Sequence, residues 1–390
     1  MEDDFSELNN LKDKIIMNKY HCISKLGKGA FGSVFKATYN QQDYAIKFEI
    51  KNKSNNLLEN EAAIMDYLQG TNIPHVELYS STMDYNILVM ELLGKSLGYY
   101  QKKLNNFSLK TICMLGDQIL KILEYIHDHH IIHRDIKPDN FCMGLNNSKN
   151  VYLVDFGLAK KYRSSSTLMH YPLLNKKKLT GTPRYASINA LKGLEQSRRD
   201  DMESLSYVLI FLFKGELPWQ RINAKSKEER NEKILEKKIA ITSARLCSGL
   251  PNEFVKFIEH TKNLEYTQKP DYDLLRNLLK CVIKNNNIIP NFIFDWTTKE
   301  EIKKRADLEH RRENTGKKGA CSSKNVIYDL DDDNCKYNVN NRKYGIKVYN
   351  NYQRNTNVYH SNDFLPIVHY KNRNKQDEVN VICTSACNIF

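Results

Sequence analysis

The sequence predicts an α+β fold of two lobes, a small β-rich N-terminal lobe and a larger, mainly helical C-terminal lobe. From Tyr20 the pattern is strand-like alternation, broken by turns, glycines and one helical stretch, as far as Met90. From Ser108 to about residue 284 the period becomes that of amphipathic helices. Inside that second stretch a polar run, His133-Arg134-Asp135-Ile136-Lys137-Pro138-Asp139-Asn140, is set between Ile131-Ile132 and Phe141-Cys142-Met143. A run so charged suits a reaction centre better than a core.

With 390 residues, 41% of them hydrophobic, the chain can bury one large core or two modest ones. Its formal charge of +13 and pI near 9.1 favour acidic partners, whether nucleic acid, anionic membrane or phosphorylated protein. Past Trp296 stand 17 Lys and Arg against 12 Asp and Glu, so the basic excess is not merely a property of the tail. The nine cysteines form no C-x-x-C pair and have no histidines at zinc spacing. They are expected to be reduced thiols of a cytosolic protein, the first five (Cys22, Cys113, Cys142, Cys247, Cys281) packed as small hydrophobes. The acidic start Met1-Glu2-Asp3-Asp4 does not fit a signal peptide, and no apolar run reaches the roughly 18 residues of a membrane helix. The expectation is a protein neither secreted nor membrane-spanning.

Along the chain, residues 1–18 form an N-terminal extension whose Phe5, Leu8, Leu11 and Ile15 suggest a short, partly ordered helix. The N-lobe is expected over about 19–91. Its glycine run holds Gly27, Gly29 and Gly32, and a lone G-x-G-x-x-G also fits a dinucleotide fold. Here Val34-Phe35-Lys36-Ala37 continues as a strand, whereas the dinucleotide fingerprint must open a helix. The loop therefore reads as a hairpin lid whose amides can approach phosphates. Tyr44-Ala45-Ile46-Lys47 matches the V-A-I-K strand, which places Lys47 at phosphates. A lysine in an apolar strand needs a counter-charge. Leu57 to Leu68 reads as a helix carrying Glu59 and Glu61, and Glu61, on the face of Ile64, Met65 and Leu68, is the expected partner. Tyr85 to Met90 is a further strand. Glu91-Leu92-Leu93-Gly94 follows as a hinge whose backbone would meet an adenine edge, with Met90 flanking the pocket.

The C-lobe is expected over about 95–296. Ser108 opens an amphipathic helix reaching His129, with Ile112, Leu115, Ile119, Leu123 and Ile126 on one face. His127, His129 and His130 are expected to be solvated helix-end residues, since nothing is spaced to complete a metal site. Asp135 and Asn140 then stand as in H-R-D-x-x-x-x-N, where the Asp accepts a hydroxyl proton and the Asn holds Mg²⁺. Lys137 between them can neutralise a phosphate. Val151 to Val154 reads as a buried strand ending in Asp155-Phe156-Gly157, which supplies a second carboxylate for Mg²⁺. Basic runs follow at Lys160-Lys161-Tyr162-Arg163 and Lys176-Lys177-Lys178. An apolar helix over Asp200 to Lys214 and amphipathic segments near 226–238, 252–263 and 271–284 make the second lobe all-helical. Residues 297–390 are expected as a basic, mostly disordered tail with an acidic knot at Asp329 to Asp333.

These motifs together resemble a eukaryotic protein kinase, and more narrowly the casein kinase 1 family of Ser/Thr kinases, over roughly residues 20–296. The family mark is Ser187-Ile188-Asn189 where most protein kinases carry A-P-E. Supporting segments are HRDIKPDNFCMG (His133 to Gly144), LTGTPRYASIN (Leu179 to Asn189), EQSRRDDMESL (Glu195 to Leu205), LPWQ, KPDYDLL and Phe294 to Trp296. Pro183 departs from the alanine usual at its place. The resemblance implies the bilobal protein-kinase fold and transfer of the γ-phosphoryl of ATP, with Mg²⁺, to Ser/Thr protein substrates. It implies Asp135 as base, Lys137 and Lys47 on phosphate, Asn140 and Asp155 on Mg²⁺, and Thr182 bracing Asp135. The nucleotide would lie against Gly27, Gly29, Gly32, Val34, Ala45, Lys47, Met90, Glu91 and Leu93, with Glu61 holding Lys47. Family members favour substrates with an acidic or phosphorylated residue three positions before the target. The matching cations are Arg184, Arg230 and Lys177, with Arg134 and Arg163 nearby.

The rival readings are a pseudokinase-type scaffold that binds nucleotide and phosphoproteins without turnover, a small-molecule kinase, and a nucleic-acid binder. Every expected catalytic residue is present, the peptide-docking segment Thr180 to Asn189 is intact, and no zinc or RNA-binding signature occurs. The expectation is a cytoplasmic monomer acting on acidic or phosphorylated proteins, with no specific nucleic acid; nothing in the sequence bars the nucleus. Cys387-Asn388-Ile389-Phe390 has the form of a C-a-a-X box with Asn388 as a polar departure. Lys371, Arg373, Lys375 and Cys383 would add the second contact that an anionic membrane surface needs. The plain alternative is a tail that happens to end this way.

Overall fold

The computed structural model describes residues 11–28, 32–51, 57–70, 72–145, 149–304 and 307. Gly29, residues 1–10 and most of the tail, Cys387 included, lie outside the described residues. The N-terminal part is an antiparallel sheet of β1 (Ile15–Ile16), β2 (Tyr20–Lys28), β3 (Gly32–Tyr39), β4 (Gln42–Ile50), β5 (Val76–Ser81) and β6 (Tyr85–Glu91). The strand order is β1-β2-β3-β4-β6-β5. Period-two alternation sends Phe35 and Ala37, Tyr44, Ile46 and Phe48, and Ile87 and Val89 to one side, where they pack with Tyr20 and Cys22 as a core. Leu11 and Ile16 cover its end.

The helix expected within residues 1–18 does not extend over Leu11 and Ile15, while Phe5 and Leu8 lie outside the described residues. Ile15 and Ile16 instead pair with His21 and Tyr20 as an edge strand. Two paired residues are too few for a strand period to show in sequence.

One helix, α1 (Leu57–Leu68), crosses the sheet, with Leu58, Glu61, Ile64, Met65 and Leu68 buried. Its first turn is fixed by the buried Glu49, whose carboxylate accepts from the Leu58 N–H at 3.2 Å and from Asn86 Nδ2 at 3.1 Å. A carboxylate there satisfies an orphan N–H and complements the positive end of the helix.

In the second lobe α2 (Leu97–Leu104) and α3 (Leu109–Asp128) lead to α4 (Ile188–Leu191), α5 (Arg198–Lys214), α6 (Lys227–Ala240), α7 (Ser243–Leu246), α8 (Asn252–Lys262) and α9 (Tyr272–Asn285). Every residue of α5 from Arg198 to Leu212 is buried, and α3 and α8 pack on it. A helix covered on all sides is the axis of its lobe. The lobe is not all-helical, however. Two antiparallel pairs, β7 (Ile131–Ile132) with β10 (Lys160–Lys161) and β8 (Phe141–Met143) with β9 (Val151–Leu153), bracket the polar run. Of the four, β9 is the strand expected at Val151 to Val154, and the others are too short to give a sequence a period.

Other expectations need correction. His127 is not solvated: it is fully buried, with Nδ1 2.6 Å from the Tyr272 hydroxyl and Nε2 3.0 Å from Asp201. Cys22, Cys113 and Cys247 are packed, but Cys281 is exposed on α9. Beyond the C-lobe, residues 299–304 are helical, opened by reciprocal bonds between Thr298 and Glu301. Before them Trp296 stacks on Tyr100 with centroids 4.2 Å apart, and Asp295 accepts both the N–H and the hydroxyl of Ser108, the cap of α3.

Candidate active site

The sheet face opposite the core carries Val34, Ala45, Lys47, Leu88 and Met90. Val34 stands across from Lys47 and Ala45 from Met90. Gly32 opens β3 because nothing larger fits: a Cβ there would lie 1.8 Å from the Phe48 carbonyl oxygen. Gly27 across the hairpin has open space where its side chain would be. The hairpin is thus tight at Gly32 and open at Gly27.

Lys47 reaches from β4 to Glu61 of α1 at 2.7 Å and to Asp155 at 2.8 Å. Of the two glutamates weighed in α1, Glu61 is therefore the partner. Burial works against the Lys47 charge, but the two carboxylates outweigh it and hold its pKa above the ordinary value. Burial pushes Glu61 up. Burial also acts on Asp155, but Lys47 outweighs it and keeps that carboxyl below its usual range. Asp155 adopts a left-handed backbone, φ 68°, which aspartate tolerates better than most residues. Phe156 turns fully inward against the His133 ring, while the Asp155 side chain keeps 40% exposure.

The polar run is a loop pinned from below. Asp201 of α5 accepts the His133 N–H at 2.7 Å and the Arg134 N–H at 2.9 Å on its two oxygens, besides its contact with His127. Burial raises its pKa, but these bonds and the histidines outweigh that and hold it below its ordinary value. So held, the loop presents Asp135. One oxygen of Asp135 accepts from the backbone N–H and hydroxyl of Thr182 at 2.9 and 2.8 Å; the other is 2.5 Å from Lys137 Nζ. Asn140 gives its amide to the Asp135 carbonyl at 2.9 Å, which leaves its Oδ1 for a cation. The segment of Thr182 comes this close because Gly181, φ 95°, has no Cβ; one would sit 2.3 Å from the Arg134 carbonyl oxygen.

Of the three expected anion-binding residues, Lys177 lines a hollow that Arg184 and Arg230 do not line. Lys177 joins Arg134, Lys160 and Lys178 around a hollow of about 80 Å³. Its floor is Glu195, which pairs with Lys160 and lies 3.4 Å from Lys177. Arg184 is exposed on the Thr182 segment, its guanidinium over the rings of Tyr185 and Phe211. Arg230 is exposed in the first turn of α6. Arg163 donates to His130 Nδ1 at 2.9 Å. The sequence marks no role for Asp201 or for Lys238, both fully buried. The one signal for the first is an Asp-Asp pair opening an apolar helix.

A family model of the protein kinase domain matches residues 20–285. The chain belongs to the protein kinase family. Kinases of this kind use ATP with Mg²⁺, and the residues present fit both. At the hinge the Glu91 N–H is already taken by the His75 carbonyl. Leu93 N–H and C=O have no partner among the described residues and are open to a base edge. Val34, Ala45 and Met90 supply apolar walls. Asp155 and Asn140 are the hard oxygen donors that Mg²⁺ prefers, and Lys47 supplies a cation for phosphate.

Proposed function

We propose that this kinase transfers phosphate to serine or threonine of acidic or phospho-primed proteins, in the manner of the casein kinase 1 family. The observation that carries the reading is the placing of cations about the base. The Thr182 segment that braces Asp135 also carries exposed Arg184, and Arg134, beside Asp135, borders the Lys160, Lys177 and Lys178 hollow. Five cations against the single carboxylate of Glu195 suit a peptide with negative charge near its target. Ser187-Ile188-Asn189 supports the narrower family reading.

When bound, ATP with Mg²⁺ supplies the phosphoryl group and neutralises its charge. Asp135 Oδ accepts the hydroxyl proton as the substrate oxygen attacks. Thr182 fixes one Asp135 oxygen, so the other faces the hydroxyl, and Lys137 at 2.5 Å from that oxygen offsets charge there. Lys47, held by Glu61, orients phosphate. Radiolabelled transfer to casein, and to matched peptides with and without a phosphoserine three residues before the target, tests this. The expected result is transfer to serine or threonine with preference for the primed peptide, abolished in Asp135→Asn. No transfer from pure protein that still binds nucleotide would make it a scaffold instead.

A further inference from the structure

Lys238 of α6 is fully buried, yet it touches neither nucleotide nor base. Its ammonium donates to the carbonyls of Pro183, at 3.2 Å, and Ala186. It lies 4.4 Å from the Tyr207 ring centroid and 4.8 Å from that of Trp219. Trp219 in turn donates its indole N–H to the Arg184 carbonyl at 2.7 Å. The carbonyls of Pro183, Arg184 and Ala186 are thus all held from the α5 and α6 side. At the other end of the same segment, Thr182 holds Asp135.

Burial drives the Lys238 pKa down to about 7, against the pull of Glu203 and with the push of Lys262. An apolar chain of equal length would fit such a place at less cost, since a buried charge is retained only against a desolvation penalty. Its presence is explained by what it holds.

We propose that Lys238 is a positioning residue for protein substrate: it fixes the segment 183–186 in the shape that presents Arg184 to the peptide and keeps Thr182 on Asp135. The inference needs only protein kinase activity and holds for primed and unprimed peptides alike. The nucleotide face, built from β3, β4 and the hinge, lies outside its reach.

The test is steady-state kinetics of the full chain with a serine peptide that the wild-type enzyme turns over. It compares wild type with Lys238→Met, equal in length but without a donor, and Lys238→Arg, which keeps donors. Lys238→Met is expected to raise peptide KM about tenfold, the size of a lost charge-assisted hydrogen bond, while KM for ATP stays within about twofold and Lys238→Arg recovers most of the loss. Backbone hydrogen exchange over 182–190 should speed up in Lys238→Met and not over β3 or β4. An unchanged peptide KM, or equal rises in both KM values, overturns the proposal. If Lys238→Met does not fold, Lys238→Gln is read by the same two constants, and equal rises there overturn it too.

Discussion

Asp200 and Asp201 are neighbours at the start of α5, both buried and both carboxylates, yet replacing each by Asn should have very different effects. Asp200 accepts the Ser187 hydroxyl at 2.5 Å and the Ser197 N–H at 2.7 Å. Asparagine can still bond both groups, its Oδ1 accepting the Ser197 N–H and its amide donating to the Ser187 oxygen in the reverse direction. Burial also pushes the Asp200 pKa up to about 7, so near neutral pH much of its charge is already gone. Asp201 faces backbone N–H groups on each oxygen, His133 at 2.7 Å and Arg134 at 2.9 Å. Whichever way an asparagine is turned there, its NH₂ meets a donor and one buried N–H is orphaned. Breaking such a network costs about 3–5 kcal/mol. At roughly 2–4 °C per kcal/mol for a domain of this size, Asp201→Asn should lower Tm by roughly 10 °C. Because the loop it pins carries Asp135, kcat should also fall about a hundredfold or more. Asp200→Asn should stay within about 2 °C. Calorimetry and peptide kinetics on both variants decide it; equal Tm values would refute the hydrogen-bond accounting.

Thr182→Ala removes one of two bonds to an Asp135 oxygen and should lower kcat/KM about tenfold or more, whereas Thr182→Ser should stay within a few-fold; equal effects would mean that the methyl, not the hydroxyl, matters. Lys177→Ala and Arg184→Ala are expected to cost a phospho-primed peptide tens-fold in kcat/KM and an unprimed one much less; equal losses would make them structural. Burial, with Arg198 and Arg163 close by, lowers the His170 pKa from 6.5 to about 4. The unfolded chain therefore binds a proton more readily across that window, so the His170 contribution to stability is present above pH 6.5 and is lost as pH falls towards 4. His170→Phe should flatten denaturation midpoints between those values, and an unchanged slope would exclude His170 as a source of acid lability.

Much of this was legible because period and motif act locally. The bounds of α1, the strand of Lys47 and the choice of Glu61 over Glu59 follow from apolar spacing within one element. Asp135, Asn140 and Asp155 are legible by motif, and Thr182 by resemblance. Buried charge was not legible. His127 meets Asp201 74 residues away, and Lys238 meets Ala186 52 residues away. In sequence each reads as a surface residue, since only tertiary contact supplies the partner that makes burial tolerable. The contact of Lys177 with Glu195 is hidden for a similar reason, since no spacing reveals it.

The packing of Trp219 and Trp296 gives this kinase a built-in optical readout, because the chain has two tryptophans in all. Trp219 is bonded to the carbonyl of Arg184 and edge-on to Tyr207, beside a lysine ammonium. Trp296 is sandwiched by Tyr100 and Phe294 where the C-lobe ends. Replacing Trp296 by Phe leaves one fluorophore under the Thr182 segment, and replacing Trp219 leaves one beside Tyr100 and Phe107 where the C-lobe ends. Ultraviolet emission can therefore follow the Thr182 segment and the end of the C-lobe separately, without a dye.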